Sequence, residues 1–596
     1  MKKMMILMML TAFMTVTTAC SSDDPFESNN NYTFPDDNTG GNTGGNTGGN
    51  GSSSAVSGEL TSFTVAIDKT TAEPTSGLAT VYYPDDEDNL ANNSSDLTTQ
   101  VSIDMSNPSA TAASGVTVTV NGGHITVDHG STKGICYYVT GTTTDGSLTI
   151  LGEKKYGVIL ANANITNPDS AALNLLSKKR AFLMMADGTT NTLTDGTSSK
   201  NDHKGALYCK GKLLVNGNGA LEVYGKYNNG IHCADYIIFN TGNNVYVKST
   251  ANHGIKANDG VFINGGILNV EVSAAAAKGI NCESNIIVNG GRTTVITTGN
   301  GTWDTEDQEA KGASCFKADS VFTMNGGELW LKSTGSGGKG IKADEDAYFN
   351  GGSTYVITEG GQFKSNNDTA SPKGIKIDGN LTIKSGRVWV RTSGYNGEGI
   401  ESKSILTISG GEVASNAYDD AINSKGDMTI SGGYVYAQGQ HNDGIDANGN
   451  CYIKGGAVFA ICSGSPEVAI DANTEGGKKL YLTGGTVVAV GGLESGSSLT
   501  QACYQASWSS NTWYALSYGS SNFCFKTPSS GGSGLVVSTP STPSLSSGVS
   551  VSGGTSYFGG LGIAGATVSG GSTVSLNSYT GGNAMGGGGM GGGGRW

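Results

Sequence analysis

Between Ala206 and Val490 the chain repeats one unit eleven times: small residue, apolar residue (usually Ile), polar residue, small residue, then an alternating apolar run, Gly-Gly, and a second alternating run. Gly254-Ile255-Lys256-Ala257 leads to Val261-Phe262-Ile263-Asn264-Gly265-Gly266, and Gly444-Ile445-Asp446-Ala447 leads to Ile453-Lys454-Gly455-Gly456. The copies begin at 206, 230, 254, 279, 315, 340, 374, 399, 421, 444 and 469, in steps of 24, 24, 25, 36, 25, 34, 25, 22, 23 and 25 residues. Such a period specifies a solenoid, in which no unit can bury its apolar face without its neighbours. Each unit holds two or three strands of period-two alternation, and no segment reads as a helix. Units of this size suit one coil of a parallel β-helix, with Gly-Gly supplying the positive φ of tight turns. The two long steps mark insertions in turns near Asn300–Lys311 and Glu359–Pro372.

Composition narrows what else the chain can be. It carries 94 glycines in 596 residues but only 11 prolines and no three-residue glycine period, which excludes collagen. A net charge of −14 argues against nucleic acid as partner, since phosphate binding needs a basic footprint. Neutral sugars remain compatible, as do acidic sugars bridged by a cation. His232, His253 and His441 follow no ligand spacing and read as polar surface residues. The expected state is a monomer.

Residues 1–19 read as a lipoprotein signal peptide: Lys2-Lys3, an apolar run from Met4 to Val16, and Val16-Thr17-Thr18-Ala19-Cys20, which looks like a bacterial lipobox with Cys20 as the acylated residue. The run is too short to span a bilayer, so the membrane is reached through lipid only. Ser21-Ser22-Asp23-Asp24 resembles the export signal of surface lipoproteins in some Gram-negative bacteria, implying the outer membrane and cell surface. Residues 20–57 are a Gly/Asn/Thr-rich tether. The remaining divisions are an N-terminal β segment over 58–114, the β-helix over 115–492, a C-terminal β cap over 493–582 that covers the open end, and a Gly/Met-rich tail over 583–596. Cys209, Cys233 and Cys282 occupy the small fourth position of the unit, an inward stack, and read as buried free thiols. Cys451/Cys462 and Cys503/Cys524 are the pairs that could join.

What the coils display sets the function. The third position of the unit points outward, beside the inward Ile, and reads Lys256, Asn281, Lys317, Lys342, Lys376, then Glu401, Asn423, Asp446, Asp471. The residue before the unit reads His253, Lys278, Lys339, Lys373, then Glu398, Asp420, Asp443, with Ser314 and Val468 as exceptions. Carboxylates stacked about 5 Å apart repel by up to about 3 kcal/mol at an effective dielectric near 20. They form either a solvated acidic edge or a site for Ca²⁺, whose six to eight oxygen ligands can be drawn from adjacent coils.

The Gly-Ile-Lys/Asp/Asn unit, the Asn-Gly-Gly turns and the run Ala181-Phe182-Leu183…Thr190-Asn191-Thr192-Leu193-Thr194-Asp195-Gly196 resemble the carbohydrate-binding β-helix family related in fold to pectate lyases. That resemblance implies an all-β, right-handed parallel β-helix that binds calcium and polysaccharide. By it the acidic coils carry over as calcium positions: Asp420, Asp443, Asp446 and Asp471 as the best matches, with Glu398 and Glu401 beside them. Lys317, Lys342, Lys376 and Trp389 are the expected glycan contacts, and Tyr227, Trp303, Trp330 and Tyr395 are further candidate aromatics. The function expected is surface-anchored, calcium-dependent, non-catalytic polysaccharide binding. The alternatives are a polysaccharide lyase acting on uronates, with Lys342, Lys376 or Arg387 as base, and a structural adhesin.

Overall fold

The computed structural model describes residues 63–93 and 96–581. The expected signal peptide, Cys20, the tether and the tail lie outside them. About half of the chain is strand and almost none is helix, wound into a β-solenoid of about 15 turns. Among the described residues no helix is long and apolar enough to cross a membrane.

Each coil contributes three strands, as in Ile255–Ala257, Gly260–Ile263 and Ile267–Val272. Each strand pairs in parallel with its counterpart one coil away: Ile255 with Ile231 and Ile280, Val261 with Ile237 and Ile286, Val270 with Val247 and Val295. The unit strands form one fourteen-stranded ladder, here the marker sheet. Its apolar position runs unbroken through Leu207, Ile231, Ile255, Ile280, Phe316, Ile341, Ile375, Ile400, Ile422 and Ile445, then by single bridges to Ile470 and Leu493. These side chains fill one continuous core. The fourth position alongside is small because it faces the same narrow interior, with Ile377 as the exception.

The Asn-Gly-Gly turns have a physical reason. Gly291 sits at φ +71°, and a Cβ on Gly290 would lie 2.6 Å from the Asn264 carbonyl oxygen. The asparagines themselves join in an amide ladder, Asn350 to Asn325 to Asn289 to Asn264 to Asn240 to Asn216, each donating Nδ2–H to the next Oδ1 over 2.9–3.4 Å. The two insertions are β-hairpins, Thr302–Asp304 with Glu309–Lys311 and Phe363–Ser365 with Asp368–Ala370. They stand side by side, the Ala310 amide donating to Asp368 Oδ2 at 2.7 Å.

Three features differ from the sequence expectation. Parallel stacking begins at Thr99–Asp104, ahead of residue 115. Upstream of it, residues 63–93 hold two short 3-10 turns, Asp86–Asp88 and Leu90–Asn92, and no strand. Instead this segment straps the solenoid flank. Tyr82 exchanges two backbone hydrogen bonds with the Asn264 amide, Ala79 donates to the Asn289 carbonyl, and Gly327 donates to that of Gly77. Its acidic run cannot bury as a strand. It surrounds Arg180 instead, with Asp88 fully buried and bonded also to the Tyr236 hydroxyl at 2.6 Å. The third difference is the C-terminal cap. Leu535–Ser538 closes the open end on Thr486–Val490, but the six-stranded antiparallel sheet beyond it folds back along the third-strand face. There Tyr557 stacks on Tyr434 at 3.5 Å, Phe525 packs on Phe459, and the Phe558 amide donates to Glu412. All nine described cysteines are buried free thiols, including the two candidate pairs.

Ile445 is fully buried in the unit column, between Ile422 and Ile470. Ile445→Ala should cost about 2–5 kcal/mol, and Ile445→Asp more, since it also buries an unpaired charge. The check is the urea midpoint at unchanged slope; a loss under about 1 kcal/mol would place Ile445 outside the core.

Candidate functional site

Parallel register forces equivalent side chains into columns. The third-position column is His232, Lys256, Asn281, Lys317, Lys342, Lys376, Glu401, Asn423, Asp446, with adjacent residues paired throughout. Beside it runs Lys278, Ser314, Lys339, Lys373, Glu398. Asp420 and Asp443 extend this second column through the backbone bonds of Gly399 and Ala421. From Lys278 and Asn281 onward both columns line one open groove of about 1670 Å³, walled on one side by the two hairpins.

Along this groove the charge changes sign. In the basic half, the third-position lysines are neutralised by aspartates two residues downstream, on the next turn. Lys317 Nζ lies 2.6 Å from both Asp319 and Asp344, Lys342 lies 3.2 Å from Asp344, and Lys376 lies 3.4 Å from Asp378. The two halves meet at Lys373, 2.5 Å from Glu398 and 3.4 Å from Glu401; Lys403 holds the other Glu401 oxygen at 3.3 Å. Glu398 and Glu401 therefore already have cations, which sets them apart from the acids that follow. Lys278 and Lys339 differ in the opposite sense: among the described residues neither has a carboxylate within ion-pair range. Desolvation, and then neighbouring ammonium groups, push Lys278 down to about 7 and Lys339 well below its usual range.

In the acidic half no lysine intervenes. Asp443 accepts the Val468 amide at 2.7 Å, Asp420 accepts the Asp443 amide at 3.2 Å, and Asn423 bridges Asp420 and Asp446 at 3.2 Å each. Burial, reinforced by the neighbouring carboxylates, raises Asp443 and Asp471 to about 8, Asp446 to about 7, and Asp420 well above the usual carboxylate range. Among the described residues no three His, Cys, Asp or Glu side chains are gathered into a ready metal cage. The donors are all oxygen, the set a hard cation such as Ca²⁺ takes.

The remaining expected residues fall elsewhere. Trp389 lies on the third-strand face, 8% exposed, packed between Tyr355 and Phe63 of the N-terminal strap. It packs against the strap and lies outside the groove. Trp330 stacks on Tyr355 on the same face, and Arg387 there holds Glu412 and the Tyr355 hydroxyl. Arg387 is thus outside the groove, whereas Lys342 and Lys376 line it and are ion-paired to Asp344 and Asp378. Tyr227 reaches Asp202 at 3.4 Å, and Trp303 lies in the first hairpin. Tyr395, by contrast, lines the groove at 58% exposure, 5.3 Å from Tyr418, whose ring stacks on His441 at 3.9 Å. Tyr418 and His441 were not singled out from sequence as groove-lining residues beside Tyr395, although 395, 418 and 441 are spaced 23 residues apart.

A carbohydrate-binding domain family model matches residues 121–273 and 239–416. A carbohydrate-binding domain-containing protein of Acetivibrio thermocellus is 31% identical over 126 residues, which is 20% of this chain and 44% of that relative, less than half its length. A solved structure described as a polysaccharide lyase-like protein from C. thermocellum aligns at 22% identity and a TM-score of 0.34, covering 42% of this chain and 96% of that one. The family model and the relative, together with the solenoid, fit a carbohydrate-binding parallel β-helix.

The raised carboxylates make a pH prediction. Their folded-state values exceed the unfolded ones, so they add stability that is full below about pH 4 and is lost as pH rises through about 7–8. In metal-free buffer, wild type minus the Asp443→Asn/Asp446→Asn variant should therefore show relative stability falling between pH 4 and 8. The measurement is a melting midpoint series; a flat difference would show that these groups titrate normally.

Proposed function

We propose that the chain is a surface-anchored, non-catalytic polysaccharide-binding protein whose binding face is the marker-sheet groove, with Ca²⁺ held in its acidic half. The observation that carries this reading is the segregation of charge along one open groove with Tyr395 on its rim. A long open face with separated charges suits an extended polymer better than a small enclosed ligand. Its acidic half lacks an internal cation, and Asp420, Asp443, Asp446 and Asp471 are the residues that would hold calcium. Bound there, the metal would neutralise the stacked carboxylates and offer open positions to sugar hydroxyl or carboxylate oxygens. The residues of the chain then orient the glycan, and aromatic rings on the rim exclude water from it. Binding without catalysis is favoured because Lys342 and Lys376 are engaged by aspartates and Arg387 faces away. Anchoring through Cys20 to the outer membrane completes the proposal, with the Gly/Asn/Thr tether giving the domain reach from the surface.

If calcium binds only the folded state, millimolar calcium at a hundredfold excess over Kd should add about 2.7 kcal/mol of stability. Asp443→Asn/Asp446→Asn should remove most of that gain and slightly stabilise the metal-free protein. The same variant should lose calcium-dependent retention on immobilised polygalacturonate. An unmoved wild-type midpoint would reduce the acidic half to a solvated edge.

A further inference from the structure

Twelve lysines of the solenoid and its hairpins have a carboxylate within 4 Å, among them Lys256, Lys311, Lys332 and Lys403. Lys278 and Lys339 do not, although both stand in the second groove column with Ser314 between them. Ser314 is 1% exposed and its hydroxyl has no hydrogen-bond partner. Lys339 is 8% exposed, and Lys278 is half-buried.

The two ammonium groups are drawn to the same place. Lys278 donates to the carbonyls of Ala276 and Gly312, so it reaches up into the coil of Ser314. Lys339 donates to the Gly337 carbonyl at 2.9 Å, and Gly337 is stacked directly on Gly312. Ala276 and Gly337 both have positive φ, which turns these carbonyls toward the lysines. An ammonium has three donors. Lys278 spends two on these carbonyls, Lys339 spends one, and the Ser314 hydroxyl spends none. The first hairpin walls this spot without supplying a counterion, because its Asp304 and Asp307 are held by Lys311. Burial without an anion favours the neutral amine at both lysines, and an anion bound beside the orphan hydroxyl would restore their protonated forms.

We propose that Lys278, Ser314 and Lys339 form an oxyanion subsite that takes a carboxylate or sulfate group of the glycan directly, without a metal. It rests on the reading of the groove as a glycan-binding face and adds a second mode of acid recognition: calcium in one half, bare ammonium groups in the other. An oxyanion seated over Ser314 accepts the free donors of all three residues, as charge-assisted hydrogen bonds.

The test is calorimetry in metal-free buffer with three probes: trigalacturonate, its methyl ester, and a sulfated trisaccharide. Trigalacturonate or the sulfated probe should bind wild type more tightly than the ester, and the tighter of the two names the group. Lys278→Met and Lys339→Met should each weaken that binding about tenfold and Ser314→Ala less, while Lys384→Met, at an exposed lysine outside the groove, leaves it unchanged. Removing mutually repelling ammonium groups should not lower the melting midpoint of the Met variants, which checks that they fold. Equal binding of ester and acids, or acid binding that survives Lys278→Met/Lys339→Met, overturns the subsite while leaving the groove as a neutral-glycan face. Inorganic sulfate supplies an arm free of any glycan: it should raise the melting midpoint of wild type but not of the double variant. That result with no glycan bound by either protein would uphold the subsite and sink the functional reading instead; an equal rise in both proteins would count against the subsite.

Discussion

The parallel register between coils is the constraint from which the other properties follow. Once Ile255 lies beside Ile231 and Ile280, every residue one place along the strand is also superposed, about 4.8 Å from its counterparts. Inward, this stacks branched apolar side chains into a dry core that no single coil could build. Outward, it stacks whatever the third position carries, whether or not those side chains attract. A repeat that conserves its inward residue while varying the outward one is therefore a device for writing a charge pattern along a line.

In this chain the pattern has four settings. Where lysines stack, aspartates two residues on interleave with them, as Lys317 does with Asp319 and Asp344. At the sign change, Lys373 lies across Glu398 and Glu401 and closes the junction. Beyond it the acids stand without a cation, and within the basic half Lys278 and Lys339 stand without an anion. The groove thus carries two opposite electrostatic deficits at separate points along one face. Neither deficit helps the fold, since each leaves desolvated charge uncompensated. Both make sense for a surface that completes itself with a bound ion and a bound polymer.

The parts of this arrangement that repeat were legible in the sequence. The coil starts, the hairpin insertions and the outward columns could be read because each recurs at a fixed period, so Glu401, Asp446 and the lysines land in the groove as spacing implied. What does not repeat was opaque. The 63–93 strap has no periodicity, and its partners, such as Asn264 and Arg180, lie about 90 to 180 residues away. Trp389 reads as a candidate sugar platform until the strap's Phe63 covers it, which no local pattern announces. The ion pairs that occupy Lys317, Lys342 and Lys376 were written in Ala318-Asp319, Ala343-Asp344 and Ile377-Asp378, but only the turn geometry brings those aspartates back to the column above.

The central claim is that one face of the solenoid binds glycan through its segregated charges. The most direct measurement is a crystal structure with calcium and an acidic oligosaccharide, read with calcium anomalous scattering. An anomalous peak is expected among Asp420, Asp443, Asp446 and Asp471, with sugar density lying in the groove past Tyr395. Sugar density on the third-strand face or the C-terminal cap, or an anomalous peak away from the acidic coils, would contradict it.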